Sequence, residues 1–157
     1  MKKILVSGCL YGWHVRYDDG DVPCLDDRFL KWKEEGRLVP VCPEVFGGLS
    51  IPRPDSQRVD ETVLTCTGLD VTKEYTLGAQ ESARLAREHD VVCAIMKQDS
   101  PSCGSQFIYD GSFTDTKIPG EGLAVEYLRK AGCPVFDENQ IDEVERLLFE
   151  HEPVSGK

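Results

Sequence analysis

Three cysteines in this chain stand where an apolar run gives way to Gly, Pro or Ser. Cys9 closes Lys3-Ile4-Leu5-Val6-Ser7-Gly8-Cys9, Cys42 lies in Val39-Pro40-Val41-Cys42-Pro43-Glu44, and Cys103 lies in Ser100-Pro101-Ser102-Cys103-Gly104. Apolar runs of this length predict buried strands, so each thiol falls at or just beyond a strand end. Gly and Pro at such ends let the backbone approach a bulky inorganic group closely. Three thiolates gathered at one sheet edge form a soft, anionic trap for a metal or an iron–sulfur cluster. A set of three, instead of four, leaves one coordination position open to a substrate.

The other four cysteines have blander contexts. Cys93 lies inside the apolar run Val91-Val92-Cys93-Ala94-Ile95 and is expected in the core. Cys66 sits in a strand-like run and Cys133 between a helix end and a strand, both structural positions. Cys24, beside Pro23 in a loop, is left open between a structural and a functional role. No Cys-x-x-Cys spacing occurs, which removes zinc-ribbon, thioredoxin-like and ferredoxin readings. His-Glu-x-x-His is absent, and His14, His89 and His151 are scattered. Cys9 to Arg16 is one residue too long for a phosphatase loop, and no dinucleotide or Walker-type glycine loop is present.

Elements that could position these residues alternate along the chain. Lys3–Ser7 reads as a first strand and the stretch 8–20 as loop. Asp26 and Asp27 offer caps for a helix to about Glu35, stopped by Gly36. Leu38–Cys42 reads as a second strand, and 43–60, holding Gly47, Gly48, Pro52 and Pro54, as an ordered loop or lid. Val63–Thr67 and Leu69–Thr72 suggest a small β-hairpin around Gly68. Thr72 is placed to cap a helix from Lys73 to about His89, with Leu77, Ala79, Ala83, Leu85 and Ala86 as its apolar face. Val91–Met96 is the best candidate for a central parallel strand. Residues 99–105 form a loop, Asp110-Gly111 a turn or hairpin, and 114–120 a polar, mobile stretch. Gly122–Ala131 reads as a helix, Pro134–Phe136 as a short strand, and a last helix opens at Asn139 or Gln140 and runs to Glu150, leaving 151–157 frayed. Such alternation predicts a three-layer, Rossmann-like α/β fold with a mostly parallel sheet and a small β-hairpin, in one domain spanning 1–157. Ligands in such folds bind beyond the carboxyl ends of the strands, where Cys9, Cys42 and Cys103 fall.

The bulk numbers suit this picture. A chain of 157 residues, 40% hydrophobic and 29% charged, is long enough to bury a substantial core. Its net charge of −10 argues against nonspecific binding of nucleic acid polymers, because no basic excess is available to release counterions. No apolar run approaches a membrane span, and the apolar start at Met1–Ser7 is too short for a signal peptide. A cytoplasmic location is expected. There, an odd count of seven cysteines speaks for metal or catalytic chemistry over disulfides.

These segments resemble the thiouracil desulfidase family, long catalogued as a domain of unknown function. The resemblance is carried by Leu5-Val6-Ser7-Gly8-Cys9-Leu10, Arg16-Tyr17-Asp18, Val39 to Leu49 with its Cys-Pro-Glu, Pro52-Arg53-Pro54, Gly68-Leu69-Asp70-Val71-Thr72 and Ser100-Pro101-Ser102-Cys103-Gly104. They occur in family order over nearly the whole chain, in the short, single-domain form. Gly8 departs from the pattern, where alanine is more usual. The resemblance implies a [4Fe-4S] cluster held by Cys9, Cys42 and Cys103. It also implies non-redox conversion of a thiolated pyrimidine, 2-thiouracil to uracil with release of sulfide, the substrate's sulfur binding the iron that lacks a protein ligand.

Water must then attack carbon, and protons must move. Glu44, two residues from Cys42 and restrained by Pro43, is the candidate general acid/base. Ser100 is the favoured hydroxyl for a substrate bond or proton relay, which the family pattern supports, with Ser102 second. Arg16, Arg53 and Arg58 could hold a phosphate or a ring carbonyl, and Tyr11, Trp13 and Tyr17 could stack on a base; each is as readily surface charge or packing. Three other readings stay open: an enzyme that uses the cluster for sulfur transfer or another Lewis-acid lyase reaction, a cluster-binding sensor or scaffold with no turnover, and a small α/β protein that holds zinc or simply buries its cysteines. Oligomeric state is not legible.

Overall fold

The computed structural model describes residues 2–14, 18, 20, 23–51 and 53–151. Arg16, Tyr17, Pro52 and the stretch 152–157 lie outside the described residues. The elements follow in the order β1 (Ile4–Ser7), α1 (Gly8–Tyr11), α2 (Asp27–Glu34), β2 (Leu38–Val41), α3 (Pro43–Phe46), β3 (Ser56–Val59), β4 (Thr62–Thr65), α4 (Thr72–Glu88), β5 (Cys93–Met96), β6 (Phe107–Tyr109), β7 (Lys117–Pro119), α5 (Leu123–Lys130), β8 (Val135–Asp137) and α6 (Ile141–His151).

Four parallel strands make the central sheet in the order β2-β1-β5-β8. Ile4 and Val6 point to one face and pack with Phe29 and Trp32 of α2 and Ile141, Val144 and Leu148 of α6. Leu5, between them, points to the other face, where Ala86 of α4 and Val125 and Leu128 of α5 close the core. This is the three-layer arrangement that a strand buried on both faces demands. The chain leaves β1 toward β2 and later crosses to β5 on the other side, so strand order reverses between β1 and β5. A crevice opens at such a reversal, beyond the carboxyl ends of the strands.

Several local expectations need correction. The start of 8–20 is not loop: Gly8–Tyr11 form one helical turn, closed by Gly12 at φ +115°. Residues 43–60 are not irregular throughout. Pro43, whose fixed φ suits a first helical position, opens α3, and Ser56–Val59 form a strand. That strand is the partner of β4, so the hairpin turns at Asp60-Glu61, with register from Ser56 opposite Thr65 to Val59 opposite Thr62. The turn at Gly68 exists, but only an isolated bridge, Leu64 to Asp70, spans it. Thr72 does not cap α4. Its hydroxyl accepts instead from Val63 N at 2.9 Å, while Asp70 accepts from Thr72 N at 2.9 Å. The buried face of α4 is Tyr75, Gly78, Ala79, Ser82, Ala83 and Ala86, with Leu77 exposed. Within 114–120, Lys117–Pro119 pairs with β6 as an antiparallel ribbon. The last helix runs through His151 instead of fraying there.

Candidate functional site

The crevice at the strand reversal is a cavity of about 310 Å3, and its wall includes Cys9, Cys42 and Cys103 together with Glu44, Arg53, Ser100 and Ser102. None of the other four cysteines reaches it. Cys93 is wholly buried in the sheet, Cys133 is buried beside it, Cys66 lies exposed in the turn after β4, and Cys24 packs against the α2/α6 side.

Each of the three cysteines follows a strand of the central sheet. Cys9 sits in the helical turn that follows β1. Cys42 precedes α3, which is clamped against α4: a Cβ on Gly78 would come within 1.7 Å of the Pro43 carbonyl oxygen, and one on Gly47 within 1.9 Å of that of Glu74. Only glycine permits this approach, which places Glu44 on the cavity wall. The loop carrying Ser100 and Cys103 lies across the N-terminus of α5. Leu123 N donates to Pro101 O at 2.9 Å and Ala124 N to Ser102 O at 3.0 Å, so the helix's otherwise unpaired donors fasten the loop.

A chain of polar contacts runs along one wall. Arg53 donates to Glu44 Oε1 from Nε at 3.0 Å and from Nη2 at 2.8 Å. Ser102 Oγ donates to Glu44 Oε2 at 3.0 Å and stands 3.0 Å from Ser100 Oγ. Ser100 Oγ also accepts from Ser102 N and Cys103 N, both at 3.1 Å, a local turn bond of the kind serine makes readily. Tyr75, 1% exposed, lies against Ser56 and Glu44. Burial, then the charge of Glu44, raises its phenol well above the usual value.

The thiols share one electrostatic environment. Burial pushes Cys103 up to about 12, opposed by hydrogen bonds from Ser7 and Ser102 and reinforced by Cys9 and Cys42. Burial likewise raises Cys42, with Glu44 adding and Arg53 opposing. As free thiols Cys42 and Cys103 keep their protons at neutral pH, so anything they ligate must displace them. Ser7, buried at the end of β1, accepts from Lys97 N at 2.8 Å and donates to Met96 Sδ at 3.8 Å, and its hydroxyl also lies beside the Cys103 thiol. Among the described residues, no three or more His, Cys, Asp or Glu converge as ligands of a single metal ion. A one-ion site needs every donor atom within about 2.3 Å of one point; a multi-iron cluster takes its thiolates on separate irons.

Of the other candidates, Arg58 is spent elsewhere, pairing with Glu126 and donating to Asp60 O and Glu121 O. Tyr11 and Trp13 meet edge to face with centroids 6.1 Å apart, and Lys33 Nζ sits 4.4 Å above the Tyr11 ring; neither aromatic lines the cavity. Arg16 and Tyr17 are outside the described residues. Sequence reasoning put Arg53 among possible anion binders and Ser102 second to Ser100. It missed Ser7 and Tyr75, which read as strand and helix residues with no chemical marking.

A model of the 2-thiouracil desulfurase family matches residues 4–140. YbbK, an uncharacterized protein of Bacillus subtilis (strain 168), is 36% identical over 151 residues, covering 90% of this chain and 99% of its own. A solved structure described as the [4Fe-4S]-dependent thiouracil desulfidase TudS superposes with a TM-score of 0.93 at 41% identity, covering 94% of this chain and 98% of that one.

Proposed function

The chain belongs to the 2-thiouracil desulfurase family, and from that premise we propose that it removes sulfur from a thiolated pyrimidine, converting 2-thiouracil to uracil and sulfide without net redox change. The carrying observation is a single cavity wall that presents Cys9, Cys42 and Cys103 beside the Glu44–Ser102–Ser100 chain. The reaction is a hydrolysis: water supplies the carbonyl oxygen, the carbon–sulfur bond breaks, and sulfur leaves as sulfide. The chain would act as one domain over 1–157, in the cytoplasm, on a small-molecule thiolated nucleobase. No helix among the described residues is long and apolar enough to cross a membrane.

Cys9, Cys42 and Cys103 would hold a [4Fe-4S] cluster. The donor set is soft, and Cys9 and Cys42 lie near enough to Cys103 to act on its thiol, which supports that reading. When bound, such a cluster supplies a thiophilic Lewis acid at the iron without a protein ligand, to polarise the carbon–sulfur bond and accept the departing sulfide. Glu44 takes a proton from the attacking water. Arg53 occupies Oε1 and leaves Oε2 to Ser102, so the carboxylate is oriented toward the serines. Ser100, reached through Ser102, exchanges a proton with the substrate ring.

Anaerobic reconstitution with iron and sulfide, followed by incubation with 2-thiouracil, tests this. Uracil and free sulfide in equal amounts are expected; sulfide kept from solution would mean sulfur transfer instead. Glu44→Gln should keep its iron and lose about 100- to 10,000-fold in turnover. Iron uptake that survives loss of Cys9, Cys42 or Cys103 would sink the cluster assignment.

A further inference from the structure

Tyr109, the last residue of β6, has no part in the chemistry above. It is half-buried, and it lines the same cavity as the three thiols, Glu44 and Ser100. Tyr75 also belongs to that wall, but its burial against Glu44 and Ser56 leaves little of its surface for a ligand. Backbone pairing sets Tyr109 beside the serine loop. Asp99 and Ile108 form an isolated parallel bridge, so Ser100 and Tyr109 are each the next residue along, on segments that run the same way.

The surroundings hold this arrangement. Lys117 Nζ of β7 lies 5.7 Å from the centroid of the Tyr109 ring and 2.9 Å from Asp99 Oδ2, tying the ribbon to the residue before Ser100. Asp99 has φ +71°, a left-handed turn conformation that Asp adopts more readily than most residues. Gln57, buried in β3, accepts from Gly111 N at 2.9 Å and docks the turn that follows Tyr109.

We propose that Tyr109 is the platform on which the thiolated pyrimidine stacks, which makes it a binding residue for the desulfidation reading on which this inference rests. On that reading the edges of the substrate are committed: its sulfur to the thiol side of the cavity and its ring edge to Ser100, with Glu44 left to the attacking water. What remains is the π-face of the ring. An aromatic side chain recognises that face without using any edge. Fixing the plane of the ring fixes where the sulfur points.

The test compares the reconstituted parent with Tyr109→Leu, Tyr109→Phe and Tyr109→Trp, reading iron content, KM and kcat for 2-thiouracil, and uracil affinity by equilibrium dialysis. Tyr109→Leu should keep its iron while KM rises roughly 5- to 100-fold, with uracil affinity weakened by a similar factor. Phe and Trp should restore both. Unchanged KM and uracil affinity in Tyr109→Leu would overturn the stacking role. So would a Phe variant as impaired as Leu, which would assign the work to the hydroxyl, or iron loss confined to Tyr109→Leu, which would mark a structural residue. A parent that takes up iron yet releases neither uracil nor sulfide would overturn the desulfidase reading and the stacking role with it.

Discussion

The hydroxyl of Ser102 donates to Glu44 Oε2 at 3.0 Å and lies 3.0 Å from Ser100 Oγ, so it bridges the two residues that the sequence singled out for acid–base work. Glu44 and Ser100 are linked through it, not by a direct contact. Ser102 is 1% exposed, and a proton passing between carboxylate and Ser100 along this wall crosses its oxygen.

Removal of that oxygen should therefore mimic loss of Glu44. Ser102→Ala is expected to bind iron like the parent and to lose about 100-fold or more in kcat, the lower end of what a positioned acid–base group contributes. Ser102→Thr, which retains the hydroxyl, should recover much of it. Steady-state kinetics beside iron quantification decides the matter. A fully active Ser102→Ala next to an inactive Glu44→Gln would show that the relay takes another path.

Arg53 and Glu44 form a largely buried pair, with side chains 5% and 13% exposed. Loss of one partner strands the other charge away from water. Arg53→Met should cost about 3 kcal/mol of stability in the metal-free protein, as broken buried pairs do, and should also slow turnover because Glu44 loses both bonds to Oε1. Denaturant unfolding measures the first effect. An Arg53→Met protein as stable as its parent would mean that Glu44 finds other partners.

The parts of the fold that could be read in advance are those where one physical signal dominates. Val91–Met96 reads as a strand because a parallel strand covered on both faces must be apolar throughout, and β5 falls inside it. Asp26 reads as a cap and is one, accepting from Arg28 N at 2.8 Å. By contrast β3 is hidden, since Gln57 and Arg58 are buried polar residues satisfied by partners far along the chain; local polarity says loop. Helix α3 is hidden because four residues opening on proline carry no periodicity. At the site, Gly, Pro and Ser around each cysteine mark Cys9, Cys42 and Cys103 as a set. Arg53 to Glu44 and Ser102 to Glu44 are tertiary contacts with no local mark, and Tyr75 sits on α4 as an ordinary apolar-face residue would.

Two cysteines outside the site should add to the loss of stability at alkaline pH. Burial raises Cys133 from 9.0 to about 11, and burial, with Cys133 nearby, raises Cys93 further. Both keep their protons in the folded state at pH values where the unfolded chain has lost them. The unfolded state then binds fewer protons, so stability falls as pH rises. The contribution of Cys133 is complete below pH 9.0 and is lost between there and about 11, on the order of 2–3 kcal/mol. Unfolding free energies of the metal-free protein across that range should decline, and Cys133→Ala should make the decline shallower by the share of Cys133, the raised thiols of Cys93, Cys103 and Cys42 keeping the rest. A pH-independent parent would contradict the buried, neutral thiols.

Gly78 holds Cys42 and Glu44 in place from a distance. Its missing Cβ would lie 1.7 Å from the Pro43 carbonyl oxygen, and that oxygen already accepts from Gly47 N at 2.9 Å, so α3 cannot yield without disturbing its own turn. Gly78→Ala should cost about 1–3 kcal/mol, as overpacking does, and should impair iron uptake because α3 moves with the two residues that flank Pro43. Gly36→Ala is the matched control. Gly36 has φ +75°, and a Cβ there would meet nothing within 4 Å, so alanine should cost about 1 kcal/mol through the backbone alone and leave iron uptake unchanged. Parallel denaturation and iron titration of the two variants separates general destabilisation from displacement of α3; equal iron uptake in both would refute the role assigned to the α3–α4 contact.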